Sequence, residues 1–203
     1  MEKETASISV IIVVHNEAET LEENLPTFLS TAQEAGAQVI VVDDMSSDDT
    51  PDVLQRLLLE HSNLYTTFLP KSVVPNPSRI RLALSIGIKA AKGQYLVFGD
   101  ISRPPVSLEW LTGLADGEAA LVYTSKKKQV THVVATSLTD LQAAVQKAER
   151  RSGRGHEGRC LKLHRGLYDA FAVRKEKAFE ALQYFDQDIR GGQLLALRLR
   201  TWL

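Results

Sequence analysis

In the first hundred residues, four apolar runs alternate with three stretches of helical periodicity. This alternation predicts an α/β protein: a mostly parallel sheet flanked by helices, in three layers. The composition of the runs agrees. Residues 8–14 and 39–42 are β-branched and almost uninterrupted, as in strands covered on both faces.

Residues 8–14 are broken only by Ser9 and read as the first buried strand. Residues 17–35 place Leu21, Leu25, Phe28, Leu29 and Ala32 at helical spacing. Glu17, Glu19, Glu22 and Glu23 lie in the first turns, where carboxylates favour the positive end of the helix dipole. Gly36 suits the C-terminal cap. Residues 39–42 form the second strand. Ser47, Asp48, Asp49 and Thr50 offer caps, and Pro51 suits a first helical turn. The helix that follows packs Val53, Leu54, Leu57 and Leu58. Residues 65–69 alternate as a third strand, and 72–78, with Pro75 and Pro77, form a loop. Residues 79–92 carry Ile80, Leu84, Ile88 and Ala91 on one side of a helix that Gly93 stops, and 95–98 form the fourth strand.

The second half is less regular. Residues 108–114 read as a short helix, 119–123 as a strand, 139–151 as an amphipathic helix and 168–173 as a strand. Residues 175–182 and 193–202 read as helical. No repeat or linker divides the chain, so residues 1–203 are expected to form one domain.

Composition removes several classes of function. Twenty-four basic and 25 acidic residues leave a net charge of −1, which argues against nucleic acid as a partner. The single cysteine, Cys160, excludes an intrachain disulfide and fits a reducing, cytoplasmic setting. The longest apolar run is strand-length, far short of the ~20 residues of a membrane-spanning helix. Residues 1–17 show no secretory signal. Any membrane association would need a partner.

In open α/β sheets ligands bind at the carboxyl ends of the strands. There the sequence puts His15, Asn16 and Glu17, then Asp43 to Ser47, then Gly99 to Ser102. The first turn lacks the glycines of a dinucleotide-binding loop. Gly153, Gly155 and Gly158 match that pattern, but they follow a helical segment, which makes the match a coincidence. No Walker loop occurs. His156, Cys160 and His164 are four apart, yet glycines interrupt the helix that would align them and a fourth ligand is missing, so zinc is not expected. Lys126, Lys127 and Lys128 read as a hairpin or loop tip.

Three blocks in order resemble the family 2 glycosyltransferases, which have the GT-A fold. They are SVIIVVHNE at 9–17, VVDDMSSDDT at 41–50 and GIKAAKGQYLVFGD at 87–100. More weakly, 170–176 and 185–199 resemble the family's acceptor side. The resemblance implies a nucleotide-sugar-binding half over 1–110 and an acceptor-side half over 111–203. It also implies a nucleotide-diphosphate sugar donor, transfer with inversion, and a divalent metal, Mg²⁺ or Mn²⁺. A cation stabilises the departing diphosphate, and a carboxylate base removes the acceptor's proton. The acceptor, glycan or lipid-linked, is not specified.

Carried over by residue, Asp43 and Asp44 match the pair that contacts the base; the alternative is that Asp44 and Ser46 cap and shape the turn, for which one acid would suffice. Asn16 and Glu17 fall where the family lines the nucleoside pocket, or Asn16 is a helix N-cap. Asp100 matches the first acid of the metal and diphosphate motif Asp-x-Asp, while Ser102 replaces the second and Arg103 follows, or Asp100 caps the segment before Pro104 and Pro105. Arg79 and Arg81 open the helix before the fourth strand and add charge for phosphates. Arg150, Arg151, Arg154 and Arg159 surround a loop that either closes over phosphates or is a solvated surface. The family's catalytic Glu-Asp pair falls on Gln193 and Leu194, neither a base. Asp186 and Asp188, nearby, are the replacements, unless both are solvated loop acids. Arg198 to Trp202 resembles the Arg-Trp element of processive members, or Trp202 packs in the core.

Glycosyl transfer is the expected activity. A degenerate, non-catalytic relative that binds a nucleotide or a protein partner is the alternative, on the strength of Ser102 and Gln193. A nucleotidyltransferase is a third reading, against which stands the missing glycine- and arginine-containing loop after the first strand.

Overall fold

The computed structural model describes residues 7–69, 79–112, 119–124, 130–135 and 170–178. In chain order the elements are β1 (Ile8–Val14), α1 (Ala18–Glu34), β2 (Gln38–Asp43), α2 (Thr50–Glu60), β3 (Leu64–Phe68), α3 (Arg79–Ala90) and β4 (Tyr95–Gly99). They are followed by α4 (Glu109–Thr112), β5 (Ala119–Thr124), β6 (Val130–Ala135) and β7 (Ala170–Arg174).

The strands form one sheet in the order β3-β2-β1-β4-β7-β5-β6. β3, β2, β1 and β4 are mutually parallel, β7 is antiparallel to both β4 and β5, and β6 is antiparallel to β5. β1 to β5 therefore share one direction, and the expected mostly parallel sheet is present.

Two close approaches fix the layers. A Cβ on Gly87 of α3 would lie 2.6 Å from Ile11 Cγ2, so α3 rests on the Ile11 face. A Cβ on Gly99 would lie 3.3 Å from the Phe28 ring of α1 and 3.7 Å from Ile12 Cγ1. Ile11 and Ile12 are consecutive in a strand and point to opposite faces. α1 and α3 thus enclose the sheet from both sides. α2 lies beside α1, joined to it by an exposed Arg56–Glu22 ion pair of 2.7 Å. The core runs through Val10, Ile12, Val41, Leu96 and Val97 to Leu21, Leu25 and Leu29 on one side and Ala83, Leu84 and Ile88 on the other.

α1 ends as expected, with Gly36 at φ +64°, where a side chain would be strained. Pro26 sits inside α1 on its exposed side, where the carbonyl it leaves without a helix donor is open to solvent rather than buried.

Several expectations shift. β3 starts and ends one residue earlier than the alternation suggests, at Leu64–Phe68. Leu58, expected in the core, is 42% exposed. It lies at the border of the α2 stripe, which covers an edge strand rather than the sheet centre. α3 ends at Ala90, before Lys92. β6, absent from the sequence reading, pairs with β5 from Ala119↔Ala135 to Thr124↔Val130. The segments 72–78, 113–118, 139–151, 153–159, 179–182 and 193–202 lie outside the described residues, as do Lys126 to Lys128. Among the described residues no helix is long and apolar enough to cross a membrane.

Candidate functional site

β1, β2 and β3 succeed one another to one side, and α3 then carries the chain back to β4 on the other side of β1. The strand order therefore reverses between β1 and β4, the place where such sheets bind ligands. Val14 is level with Asp43 of β2, and Ile12 with Gly99 of β4. The chain thus leaves β2 after Asp43 and β4 before Asp100 at nearly the same height. β2 and β4 flank β1, so Asp43 and Asp100 emerge two strand spacings apart, about 10 Å.

The loops after β1 and β2 are bound to each other. Asp44 N–H continues the ladder to Val14 O at 2.8 Å. Asn16 N–H donates to Ser46 Oγ at 2.9 Å, and Asn16 Oδ1 accepts Ser47 N–H at 2.7 Å. With Oδ1 engaged in this way, Asn16 Nδ2 faces His15 Nε2 at 3.4 Å as a donor. The network then assigns the His15 proton to Nδ1, which donates to Asp44 O at 2.7 Å. Asn16 (φ 53°) and Met45 (φ 58°) are both left-handed, the strained turn conformation that brings these groups face to face.

The helix starts are capped across the same junction. Glu17 N–H donates to the fully buried Thr50 hydroxyl at 3.0 Å, and Ala18 N–H to Asp48 Oδ2 at 3.1 Å. Asp48 Oδ1 accepts Thr50 N–H at 3.1 Å. Partial desolvation pushes the Asp48 carboxyl up. Hydrogen bonds from the Thr50 hydroxyl and from the Ala18 and Thr50 N–H groups outweigh it and hold the pKa below its ordinary value. Asn16 is therefore a latch between loops rather than an N-cap. The α1 cap position is Glu17, and side chains of the β2 loop satisfy its donors.

The two adjacent acids divide their tasks. Asp43 is 7% exposed, and its Oδ1 accepts both the N–H (2.9 Å) and the hydroxyl (2.6 Å) of Ser46. Asp43, not Asp44, is the acid that shapes the turn with Ser46. Asp44 is half-buried at the crevice. Across β1, the half-buried Asp100 repeats the pattern. Its Oδ1 accepts Ser102 N–H at 2.9 Å and Ser102 Oγ–H at 2.7 Å, and its carbonyl accepts Arg103 N–H at 2.9 Å.

The structure thus brings Asn16, Glu17, Asp43, Asp44 and Asp100 to one end of the sheet. Positions 79 and 81 lie in the first turn of α3, whose side chains there are outside the described residues. Asp186, Asp188, Gln193 and Leu194 are also outside them, as are Arg150 to Arg159, Cys160, His164 and Trp202. Sequence reading missed the latching role of Asn16 and the bonding of Ser102 to Asp100. The spacings Asp-x-x-Ser at 43–46 and Asp-x-Ser at 100–102, both common side-chain turns, were the available signal.

As a metal site the donor set is small. Among the described residues, no three His, Cys, Asp or Glu side chains gather as ligands. Mg²⁺ and Mn²⁺ are nevertheless held through one or two carboxylates together with water and substrate phosphates. Asp100 fits that arrangement, with Oδ2 as the available oxygen.

Residues 9–101 match the profile of Glycosyl transferase family 2. No curated protein matches the chain. Among solved structures, a mannosyltransferase from Pyrobaculum calidifontis in complex with GDP-Man and Mn²⁺ is similar at TM-score 0.57 and 21% identity, over 88% of this chain and 47% of that one. GalNAc-T7 with UDP, GalNAc and Mn²⁺ is similar at TM-score 0.51 and 18% identity, over 89% and 37%. The chain therefore spans about half or less of the length of these proteins. The similarity in structure concerns the fold, and the family match covers the segment that builds the strand-end site. The chain thus has the GT-A fold of these solved structures, and its residues 9–101 match glycosyl transferase family 2.

Proposed function

We propose that the chain binds a nucleotide-diphosphate sugar at the ends of β1, β2 and β4 and transfers the sugar to a hydroxyl acceptor with inversion. The observation that carries this reading is that the chain leaves β2 at Asp43, just before Asp44, and leaves β4 just before Asp100, on either side of β1 at the reversal of strand order and two strand spacings, about 10 Å, apart. That spacing separates a subsite for the base from one for the diphosphate.

In this reading the latched loops after β1 and β2 form the nucleoside pocket, with Asn16 and Glu17 lining it through backbone. Asp44 accepts an N–H of the base, while Asp43 keeps the turn in shape. Asp100 faces the diphosphate, and Arg79 and Arg81 add positive charge from the start of α3. A divalent cation, Mg²⁺ or Mn²⁺, supplies charge stabilisation for the departing diphosphate. The acceptor oxygen attacks the anomeric carbon from the side opposite the diphosphate. The bond from that carbon to the diphosphate oxygen breaks, and a carboxylate takes the acceptor's proton. Asp186 or Asp188 is assigned that base role, since Gln193 and Leu194 cannot fill it. Residues 1–110 form the donor half and 111–203 the acceptor half, in a cytoplasmic setting.

Incubation with UDP- and GDP-sugars and a panel of glycan and lipid-linked acceptors tests the activity. Product with inverted configuration, lost in Asp100→Asn, is expected. A second reading, a binding protein without turnover, draws on Ser102, which replaces an acid and bonds to Asp100. Binding of a nucleotide with no transfer or donor hydrolysis would favour it.

A further inference from the structure

We infer that the outer edge of β3 is where this chain pairs with a second copy of itself, the two β3 strands running antiparallel about a two-fold axis at Thr66.

β3 ends the sheet, and among the described residues nothing pairs with its outer side. The ladder fixes which backbone groups face outward. Val39 N–H bonds to Asn63 O and Leu69 N–H to Asp43 O, so the odd-numbered residues of this stretch bond inward to β2. The groups of Leu64, Thr66 and Phe68 therefore point out of the sheet. Leu64 N–H is taken by His61 O at 3.2 Å. Among the described residues, Leu64 C=O and both groups of Thr66 and Phe68 are left for a partner strand. Edge strands usually carry lysine, proline or a bulge against such pairing. Residues 64–68 have neither a charge nor a proline, and they pair with β2 residue for residue.

The side chains around the edge are apolar too. By register, Leu64 and Phe68 face the same side as Ile12, toward α1 and α2, and Tyr65 faces that of Ile11, toward α3. Phe68 is 71% exposed and Tyr65 46%. On α2, Arg56 bonds to Glu22 of α1. Leu58, two positions on, lies about 200° round the helix, on the side that overhangs the edge. Pro51 and Gln55 share that side and are exposed and uncharged.

A second copy fits these features. The edge and the side of α2 above it are neutral, and the chain carries a net charge of −1, so a like copy meets little repulsion. A two-fold axis at Thr66 sets the strands antiparallel. Thr66 N–H and C=O exchange bonds with the same groups of the copy, and Phe68 N–H donates to the copy's Leu64 C=O, with the return bond by symmetry. Every outward N–H not already taken then finds an acceptor. Phe68 comes to lie against the copy's Leu64, beneath the last turn of α2 that carries Leu58. Aromatic side chains bury about 150–250 Å² each, so the exposed parts of Phe68 and Tyr65 amount to roughly 400–600 Å² over both copies. With Leu58 and the strand backbone added, the contact stays below the about 1,200 Å² of stable interfaces. The dimer is therefore weak and reversible. The same axis reverses strand direction, so the two sets of strand ends open on opposite sides of the pair.

Sedimentation velocity of the full chain from about 10 μM to 1 mM tests this, with Thr66→Pro, Phe68→Lys and Val106→Lys beside the wild type. Proline is accepted on an edge strand where its N–H faces outward, and Phe68 and Val106 are exposed. All three variants are thus expected to fold, circular dichroism checks it, and either edge variant alone suffices. The wild type should pass from monomer to dimer across that range, as a small interface allows. Hydrogen exchange should show the Thr66 and Phe68 amides gaining protection as concentration rises. Thr66→Pro and Phe68→Lys should each weaken association about tenfold or more. Val106→Lys should leave it unchanged, since Val106 precedes α4, which lies by β6 at the opposite end of the sheet. A wild type that stays monomeric at the highest concentration overturns the inference and leaves the edge to a peptide or another domain. So does a dimer that both edge variants leave intact, or one without concentration-dependent protection at Thr66 and Phe68.

Discussion

Asn16 Oδ1 accepts the N–H of Ser47 at 2.7 Å, across the junction between the loops that follow β1 and β2. With the return bond from Asn16 N–H to Ser46 Oγ, it makes the two loops one unit. The nucleoside pocket of the proposed site is then formed before any ligand arrives.

Substitution of Asn16 should show this. Asn16→Ala loses the bond and keeps the left-handed φ, costing about 1–3 kcal/mol of stability. Asn16→Gly loses the bond but accepts the conformation, and should cost less. Urea denaturation of both variants separates the two contributions, and nucleotide affinity should fall in both.

Asp43 and Asp44 should respond differently to alanine. Asp43→Ala leaves Ser46 N–H without its carboxylate at a buried position and should cost about 1–3 kcal/mol. Asp44→Ala should weaken nucleotide binding about tenfold or more, in line with a lost charged hydrogen bond. Thermal melts beside calorimetry distinguish a turn-shaping acid from a ligand-facing one.

Asp48 gives the pH dependence a sign. Its pKa is lower in the folded chain than in the unfolded one. Its stabilising effect is therefore complete above the ordinary aspartate value of about 3.9 and is lost as pH falls through the lowered folded value. Urea unfolding followed from about pH 6 down past that value should show the loss, and Asp48→Asn should flatten the curve in the same window.

The glycines in or against the sheet rank by what a methyl group would meet. At Gly93 it would lie 2.6 Å from backbone atoms of Ile8 and Ser9, which cannot move alone. At Gly87 it would meet a side-chain methyl of Ile11 at 2.6 Å, and at Gly99 the Phe28 ring at 3.3 Å. Gly93→Ala should be the most destabilising, about 3 kcal/mol or more, Gly87→Ala less, and Gly99→Ala least. Melting temperatures in that order would confirm the packing.

The parallel half of the fold was legible because its strands are β-branched and its helices strongly periodic. β1 has the predicted ends, and β2 and β4 differ by one or two residues. β6 was overlooked although Val130, Val133 and Val134 are β-branched. The expected hairpin or loop tip at Lys126 to Lys128 stands just before it, yet its partners β5 and β7 lie in the irregular half of the sequence, where no strand order could be read. The site was legible by position, since strand ends carry ligands whatever their side chains do. The division of labour between Asp43 and Asp44 was not. Both acids sit at one strand end, and only the backbone geometry shows which of them Ser46 reaches. Ser102 read as a missing acid, while the structure gives it two bonds to the acid that remains.

The most direct test of the account is calorimetric titration of the folded chain with UDP and GDP in the presence of Mn²⁺. Binding of one of them, weakened about tenfold or more in both Asp44→Ala and Asp100→Asn, is predicted. Failure of both nucleotides to bind, or binding that neither substitution weakens, would contradict the placement of a nucleotide site at the ends of β1, β2 and β4.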